Sequence, residues 1–352
     1  MNKWLAIPDE TKKNAYIQIA EKTGMSAFAV EKDWWVVQAL SVIFDMEIGE
    51  HLIFKGGTSL SKVWQLIKRF SEDIDLAIDR SFLGFSGELS KNKRDQLRKR
   101  SSEYTAETFF PELQKKFEER GIIGLAFNLV ETKDSDKDPR IIEIYYPNLI
   151  ESPGYLVPKI QIEISCRSLR EPNTLKTFSS LVDEEYAGRE FVAPPITVQT
   201  VNPERTFLEK IFLLHEEFHR PAEKMRVNRL SRHLYDIYHL AKTNIAERAY
   251  NDKELYQTIV EHRHKFTRVS GVNYNDLQPQ TINPLPIPEV MEAWKEDYKK
   301  MLEEMIYEEN PPTFEDLINE LTTLKNKINA VEWKFDVEFP KPVQQNLDYK
   351  EA

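Results

Sequence analysis

The chain has 352 residues, 41% hydrophobic, 30% charged and 11% aromatic, enough to bury a sizeable core in two or three domains. Its one cysteine, Cys166, excludes an intrachain disulfide and a thiolate-rich zinc site, and a net charge of -10 argues against a surface that coats DNA. No apolar run approaches the roughly 20 residues that cross a bilayer, so no membrane partner is expected. The opening MNKWLAIPDETKK lacks the apolar stretch of a signal peptide, which gives a cytoplasmic expectation.

Residues 8–47 carry apolar positions at helical spacing (Ala29, Trp34, Val37, Leu40) and read as helices. Residues 51–54 read as a short buried strand ending at Lys55-Gly56-Gly57. Over 58–70, Leu60, Val63, Trp64 and Ile67 fall at i, i+3, i+4 and i+7, which predicts an amphipathic helix. Residues 74–78 alternate and read as a second strand, and the 80s through 118 are charged and mostly helical. Segments 122–130 and 140–147 read as a hairpin. In 157–165 a further strand puts Ile160, Ile162 and Ile164 on one face and Lys159, Gln161, Glu163 and Ser165 on the other.

After Pro194-Pro195 the pattern turns helical, with strong helices at 203–219 and 226–243 and helical character to about 330. Thr313-Phe-Glu-Asp316 resembles a capping box, opening a helix with Leu317, Leu321, Leu324 and Ile328 on its apolar stripe. The expected division is N-terminal helices over 1–50, a core domain over 51–200, a helical lobe over 201–332 and a loose polar tail over 333–352.

A strand, two glycines and a helix start suit a phosphate group. Glycine lets the backbone approach closely, and the first N–H groups of the helix point at the anion. Thr58 and Ser59 can cap that helix and add hydroxyl donors. Gly-Gly-Thr also serves as an ordinary strand-to-helix turn. The aspartates shift the balance, because residues i and i+2 of a strand project together. Asp73 and Asp75 would repel one another unless a cation sits between them, and their hard oxygens suit magnesium or manganese. Glu163, on the polar face of another strand, could complete a three-carboxylate cluster or remain a solvated side chain.

These residues resemble the nucleotidyltransferase superfold related to DNA polymerase beta. The fuller wording, Lys55-Gly-Gly-Thr-Ser-Leu60 with Arg69-Phe-Ser-Glu-Asp-Ile-Asp-Leu76, is similar to its AbiEii/AbiGii branch. That branch comprises nucleotidyltransferase toxins of bacterial toxin–antitoxin and abortive-infection (phage-defence) systems, with the MenT toxins as relatives. Glu31-Lys-Asp-Trp-Trp35 matches the family's N-terminal pattern. Pro203-Glu-Arg-Thr-Phe-Leu-Glu-Lys-Ile211 supplies a family lysine, Lys210, and Arg229-Leu-Ser-Arg-His-Leu-Tyr-Asp-Ile-Tyr238 an aspartate, Asp236. Taken without the resemblance, Lys210 would snorkel from an apolar border, and Asp236 would pair with Arg232 one turn away.

The resemblance implies an α+β (α/β) fold: a nucleotidyltransferase core with a small mixed sheet flanked by helices, plus a helical C-terminal lobe, with the nucleotide in the cleft between them. Lys55, Gly56, Gly57, Thr58, Ser59 and Arg69 would bind the NTP substrate. Asp73 and Asp75 would hold Mg2+ or Mn2+, with Glu163 sharing the second ion or taking a proton. Lys210 would neutralise the phosphates, and Asp236 would orient Lys210 or the base and sugar. The implied activity is transfer of a nucleotide to a cellular acceptor, in some relatives the 3′ end of tRNA, until a cognate antitoxin restrains it. The basic runs 91–100 and 224–233 are then the candidate RNA contacts.

Two other readings are open. One is a nucleotide-binding module without transfer that acts through a partner. The other is a zinc peptidase, because His215-Glu-Glu-Phe-His219 fits H-E-x-x-H with Glu216 as base. Against the peptidase stand the charged Glu217, the helix-ending Arg220-Pro221, and the lack of an evident third ligand.

Overall fold

The structure, a computed structural model, describes residues 3–71, 73–134, 138–152, 157–166 and 172–341. The chain forms two compact units: Met1–Asn202 with Glu303–Pro311, and Pro203–Leu302 with Pro312–Ala352.

The first unit begins with two helices, α1 (Asp9–Thr23) and α2 (Ala27–Phe44). The Ser26 hydroxyl caps α2 by accepting from the N–H of Ala29. Phe28 through Leu40, Val42 and Ile43 are all buried, so α2 is enclosed on every side rather than amphipathic. A mixed seven-stranded sheet follows, in the order β3-β4-β5-β2-β1-β7-β6. Its strands are β1 (Leu52–Lys55), β2 (Asp73–Ile78), β3 (Ala126–Leu129), β4 (Arg140–Tyr145), β5 (Lys159–Ser165), β6 (Asn173–Phe178) and β7 (Ile196–Val201). β1 pairs antiparallel with β2 and parallel with β7, and β2 pairs parallel with β5. The alternation expected in the strands is met: Ile74 and Leu76 are buried, as are Ile160, Ile162 and Ile164. The mixed sheet flanked by helices is the architecture expected from the sequence.

Between β1 and β2 lies a short helix, α3 (Gly56–Thr58), which continues into a π turn over Ser59–Val63. The expected helix over 58–70 therefore stops early. The N–H of Trp64 closes back on the carbonyl of Ser59 and that of Leu66 on Leu60, while Gln65 takes a left-handed φ of 53°. The chain then runs extended, and Arg69 forms an antiparallel bridge with Ile306. The apolar stripe was real, since Leu60 and Ile67 are both buried, but a non-helical segment buries Ile67.

Charged α4 (Lys91–Tyr104) and α5 (Phe110–Glu119) occupy the region read as helical. The hairpin of β3 and β4 is shorter than read, because Gly121 and Gly124 turn the chain at positive φ before Ala126. β6 and β7 were not read from the sequence. β6 is a polar strand at the edge of the sheet, with Leu175 65% exposed, so it lacks a core-facing pattern. Helix α6 (Leu181–Glu185) joins the two.

The second unit is helical: α7 (Pro203–Phe218), α8 (Ser231–Ala241), α9 (Asn244–Asn251), α10 (Lys253–Phe266), α11 (Pro288–Glu304) and α12 (Phe314–Asn329). The capping box at Thr313 and Asp316 is present, and Leu317, Leu321, Leu324 and Ile328 are buried as read. The helix expected over 226–243 starts five residues late, at Ser231. Glu217 takes the N–H of Arg226, Asp297 takes those of Arg229 and Ser231, and Arg229 sits at a φ of 61°. Those N–H groups are thereby committed to side chains rather than to a helix.

The segment read as loose from 333 onward is anchored as far as Phe339. Phe335 and Phe339 are buried, and their backbones exchange hydrogen bonds with the amides of Gln278 and Asn275. Residues 342–352 of that tail lie outside the described residues. Among the described residues, no helix is long and apolar enough to cross a membrane.

Candidate functional site

The glycine turn is built on close backbone approach. Gly56 has a φ of 83°, and a Cβ placed on it would lie 1.9 Å from Asp75 Oδ2. A side chain there would have to displace the carboxylate that occupies the space. A Cβ on Gly57 would lie 2.7 Å from Arg69 Nη2 and 2.8 Å from Ser71 Oγ. Gly56→Ala therefore combines a strained φ with displacement of Asp75. We expect it to destabilise the fold by roughly 1–3 kcal/mol, the cost of a strained backbone conformation. Chemical denaturation beside wild type would check this.

Thr58 and Ser59 are 2% and 0% exposed, and both hydroxyls serve the turn itself. Thr58 Oγ1 bonds the Asp73 carbonyl at 2.6 Å and Ser71 Oγ at 3.0 Å, and Ser59 donates to the Gly56 carbonyl at 2.9 Å. Neither residue is the N-cap. That position is Lys55, without a side-chain cap bond. Arg69 is 2% exposed, with Nη1 donating to the Phe70 carbonyl at 3.2 Å, so its guanidinium underlies Gly57.

Strand register brings the carboxylates together. Asp75 faces Glu163 across the β2–β5 ladder and Lys55 across the β1–β2 ladder, while Asp73 faces Gln161. Paired residues share a face, so Lys55, Asp73, Asp75, Gln161 and Glu163 lie on one side of the sheet, opposite Ile74, Leu76 and Ile162. Gln161 Nε2 donates to Glu163 Oε1 at 3.0 Å, tethering that carboxylate to its neighbour two residues back on the same strand. Among the described residues, no three His, Cys, Asp or Glu side chains converge into a metal cluster. The donor chemistry of the Asp73–Asp75 pair fits a hard divalent ion, since two half-buried carboxylates share a face and a glycine backbone presses on one of them.

The second unit pairs the other two candidates directly. Lys210 Nζ on α7 lies 2.9 Å from Asp236 Oδ2 on α8, with side chains 9% and 0% exposed. His233 Nδ1 accepts from the same ammonium at 3.3 Å. Lys210 does not snorkel to water, because the carboxylate and imidazole supply the solvation it gives up. His233 was not singled out from sequence. Its only signal is the i−3 spacing to Asp236, which puts both on one helix face.

The H-E-x-x-H helix is differently engaged. Glu216 bonds Arg263 through two oxygens and takes the Tyr274 hydroxyl at 2.9 Å, so the supposed base is a buried structural anion. Glu217, fully buried, pairs with Arg220 and Arg226. His219 donates from Nδ1 to the His215 carbonyl, and the two rings stack 3.9 Å apart. His215 Nδ1 accepts from the N–H of Asn283 at 2.9 Å.

Burial, with a contribution from His219, lowers the His215 pKa well below its ordinary 6.5. The folded chain therefore binds fewer protons than the unfolded one below pH 6.5. The stability this neutral ring gives is complete above that value and is lost as pH falls beneath it, by up to about 1.4 kcal/mol per unit. Urea unfolding at pH 7.5 and 5.5 should show a smaller difference in His215→Gln than in wild type; equal differences would contradict this.

Of the basic runs, α4 has Lys91, Lys93, Lys99 and Arg100 exposed, while Arg98 pairs with Asp95. In 224–233, Arg226 is committed to Glu217 and His233 is buried.

The family described as "Nucleotidyl transferase AbiEii toxin, Type IV TA system" matches residues 38–320. Among solved structures, the chain is similar to JHP933 from Helicobacter pylori at 13% identity, covering 87% of this chain and 93% of that one, with a TM-score of 0.41. A second H. pylori structure, described as that of a candidate nucleotidyltransferase, matches at 13% identity over 87% of this chain and 98% of that one, with a TM-score of 0.37. No curated protein matches.

Proposed function

The chain belongs to the AbiEii nucleotidyl transferase toxin family of type IV toxin–antitoxin systems, and on that premise we propose that it moves a nucleotide from an NTP to a cellular RNA, the 3′ end of tRNA first among acceptors. The observation that carries this reading is the contact of Gly56 with the Asp75 carboxylate, on the sheet face shared with Asp73 and Glu163. A backbone turn suited to an anion there abuts a carboxylate suited to a cation, which supports the reading.

In this reading the N–H groups of the Gly56–Thr58 turn hold the triphosphate. Asp73 and Asp75 hold Mg2+ or Mn2+, which when bound offsets phosphate charge and acidifies the attacking hydroxyl. Glu163, held by Gln161, shares an ion or takes the proton of that hydroxyl. Arg69 supports Gly57 from beneath and adds positive charge behind the turn. In the helical unit, Asp236 fixes the direction of the Lys210 ammonium, the cation of the second motif. A cognate antitoxin then restrains the transfer in the cell.

The test is incubation with each labelled NTP, Mg2+ and total bacterial RNA. Label entering a tRNA-sized band and vanishing in Asp73→Ala/Asp75→Ala supports the reading. Label in no RNA despite NTP binding overturns the acceptor, and loss of NTP binding overturns the site. If α4 docks the RNA backbone, Lys99→Glu/Arg100→Glu should weaken RNA binding about tenfold and flatten its salt dependence by about two counterions. Binding measured at two salt concentrations checks this; unchanged affinity removes α4 from the interface.

A further inference from the structure

Three consecutive charged residues of α2, Glu31, Lys32 and Asp33, are 1%, 1% and 9% exposed. Burying charge is costly unless each group is paired. Each is paired, and each with a different stretch of chain. Glu31 accepts from the N–H groups of Leu149 and Ile150 at 2.8 and 3.0 Å. Lys32 donates to the Val157 carbonyl at 2.9 Å, just ahead of the strand that carries Glu163. Asp33 accepts the N–H of Leu181 at 2.7 Å, and its two oxygens meet Lys62 Nζ at 3.0 and 3.1 Å. The Lys62 and Asp33 side chains are each 10% exposed, and Glu184 stands 4.0 Å from the same ammonium.

Lys62 belongs to the π turn that continues the glycine turn. A helical piece running only from Gly56 to Val63 is too short to hold itself, and its π closure is a rare, locally wide geometry found often at functional sites. Thr58 and Ser59 tie its first residues to β2 and to themselves. The far end is tied to α2 by Lys62 and Asp33.

We propose that Asp33 is a positioning residue of the nucleotide site. Through Lys62 it fixes the rotation of the turn and so aims the N–H groups of Gly57 and Thr58. The inference rests on the reading of that turn as the phosphate cradle. The charges in Glu31-Lys-Asp33 are thereby anchors of the site from behind rather than groups that meet substrate.

The experiment is NTP affinity with Mg2+ in the full chain, by titration calorimetry at 15 °C. It compares wild type, Asp33→Asn, Lys62→Met and the double variant, with amide exchange followed at residues 57–59. Each single variant should weaken NTP binding about tenfold, the double should be no worse than either single, and exchange should quicken in all three, as for two residues acting as one unit. A lower unfolding temperature with wild-type affinity would make Asp33 merely structural and overturn the proposal. Tighter binding in Asp33→Asn would mean that Lys62 meets phosphate itself, which also overturns it. Should Asp33→Asn fail to fold, the double variant, which leaves neither charge unpaired, carries the same test, and wild-type affinity there refutes the role. No NTP binding by the wild-type chain would instead sink the reading of the site itself.

Discussion

Asp73→Asn/Asp75→Asn is expected to abolish nucleotide transfer, by at least about 10³-fold, while leaving the fold intact. Asparagine keeps the size of each side chain but removes the charge that would hold a divalent ion, and about 10³-fold corresponds to roughly 4 kcal/mol of transition-state stabilisation. The structural cost runs the other way. Two carboxylates on one face of β2 repel, with Glu163 beside Asp75 in the ladder. Removing that repulsion should hold or raise the unfolding temperature measured without metal. Adding Mg2+ should then raise it in wild type and not in the variant. Loss of activity together with loss of fold would leave Asp73 and Asp75 as structural residues. Activity retained within tenfold would remove them from the chemistry altogether.

Asp236→Ala should cost about 3–5 kcal/mol, because it strands the Lys210 ammonium in a buried site. The pair is 2.9 Å apart, and Asp236 is fully enclosed. His233 Nδ1 stays within reach of the ammonium, but an imidazole cannot replace the anion. For a unit of this size the loss amounts to roughly 10 °C in unfolding temperature. Lys210→Met/Asp236→Leu should recover most of that stability, since an apolar pair of similar volume removes both desolvation costs. It should not recover transfer. Chemical denaturation of the singles and the double separates these effects. A double variant as active as wild type would show that the pair serves the fold alone.

The glycine pair and the two aspartates were legible because each rule involved is local. Two residues apart on a strand means the same face, and Gly56 at a positive φ is a backbone requirement that the sequence expresses as glycine. The capping box at Thr313 was legible for the same reason, since its bonds close within a single turn. The end of the helix after the glycines was not. Leu60 and Ile67 keep helical spacing, yet the chain is pulled extended at Arg69 by pairing with Ile306, a contact from a distant part of the sequence. The late start of α8 has the same origin, because Glu217 and Asp297 capture N–H groups that the local pattern assigned to a helix.

By itself, then, the sequence determined the strand periods, the glycine turn and the family to which the motifs point, since these depend on neighbours within a few residues. Only the tertiary structure decided the contacts between segments. It set Glu163 opposite Asp75, drew Arg69 beneath Gly57, paired Lys210 with Asp236 and tied Asp33 to Lys62. These choices are made by strand register and by the need of each buried charge for a partner. Neither is encoded at any fixed spacing along the chain.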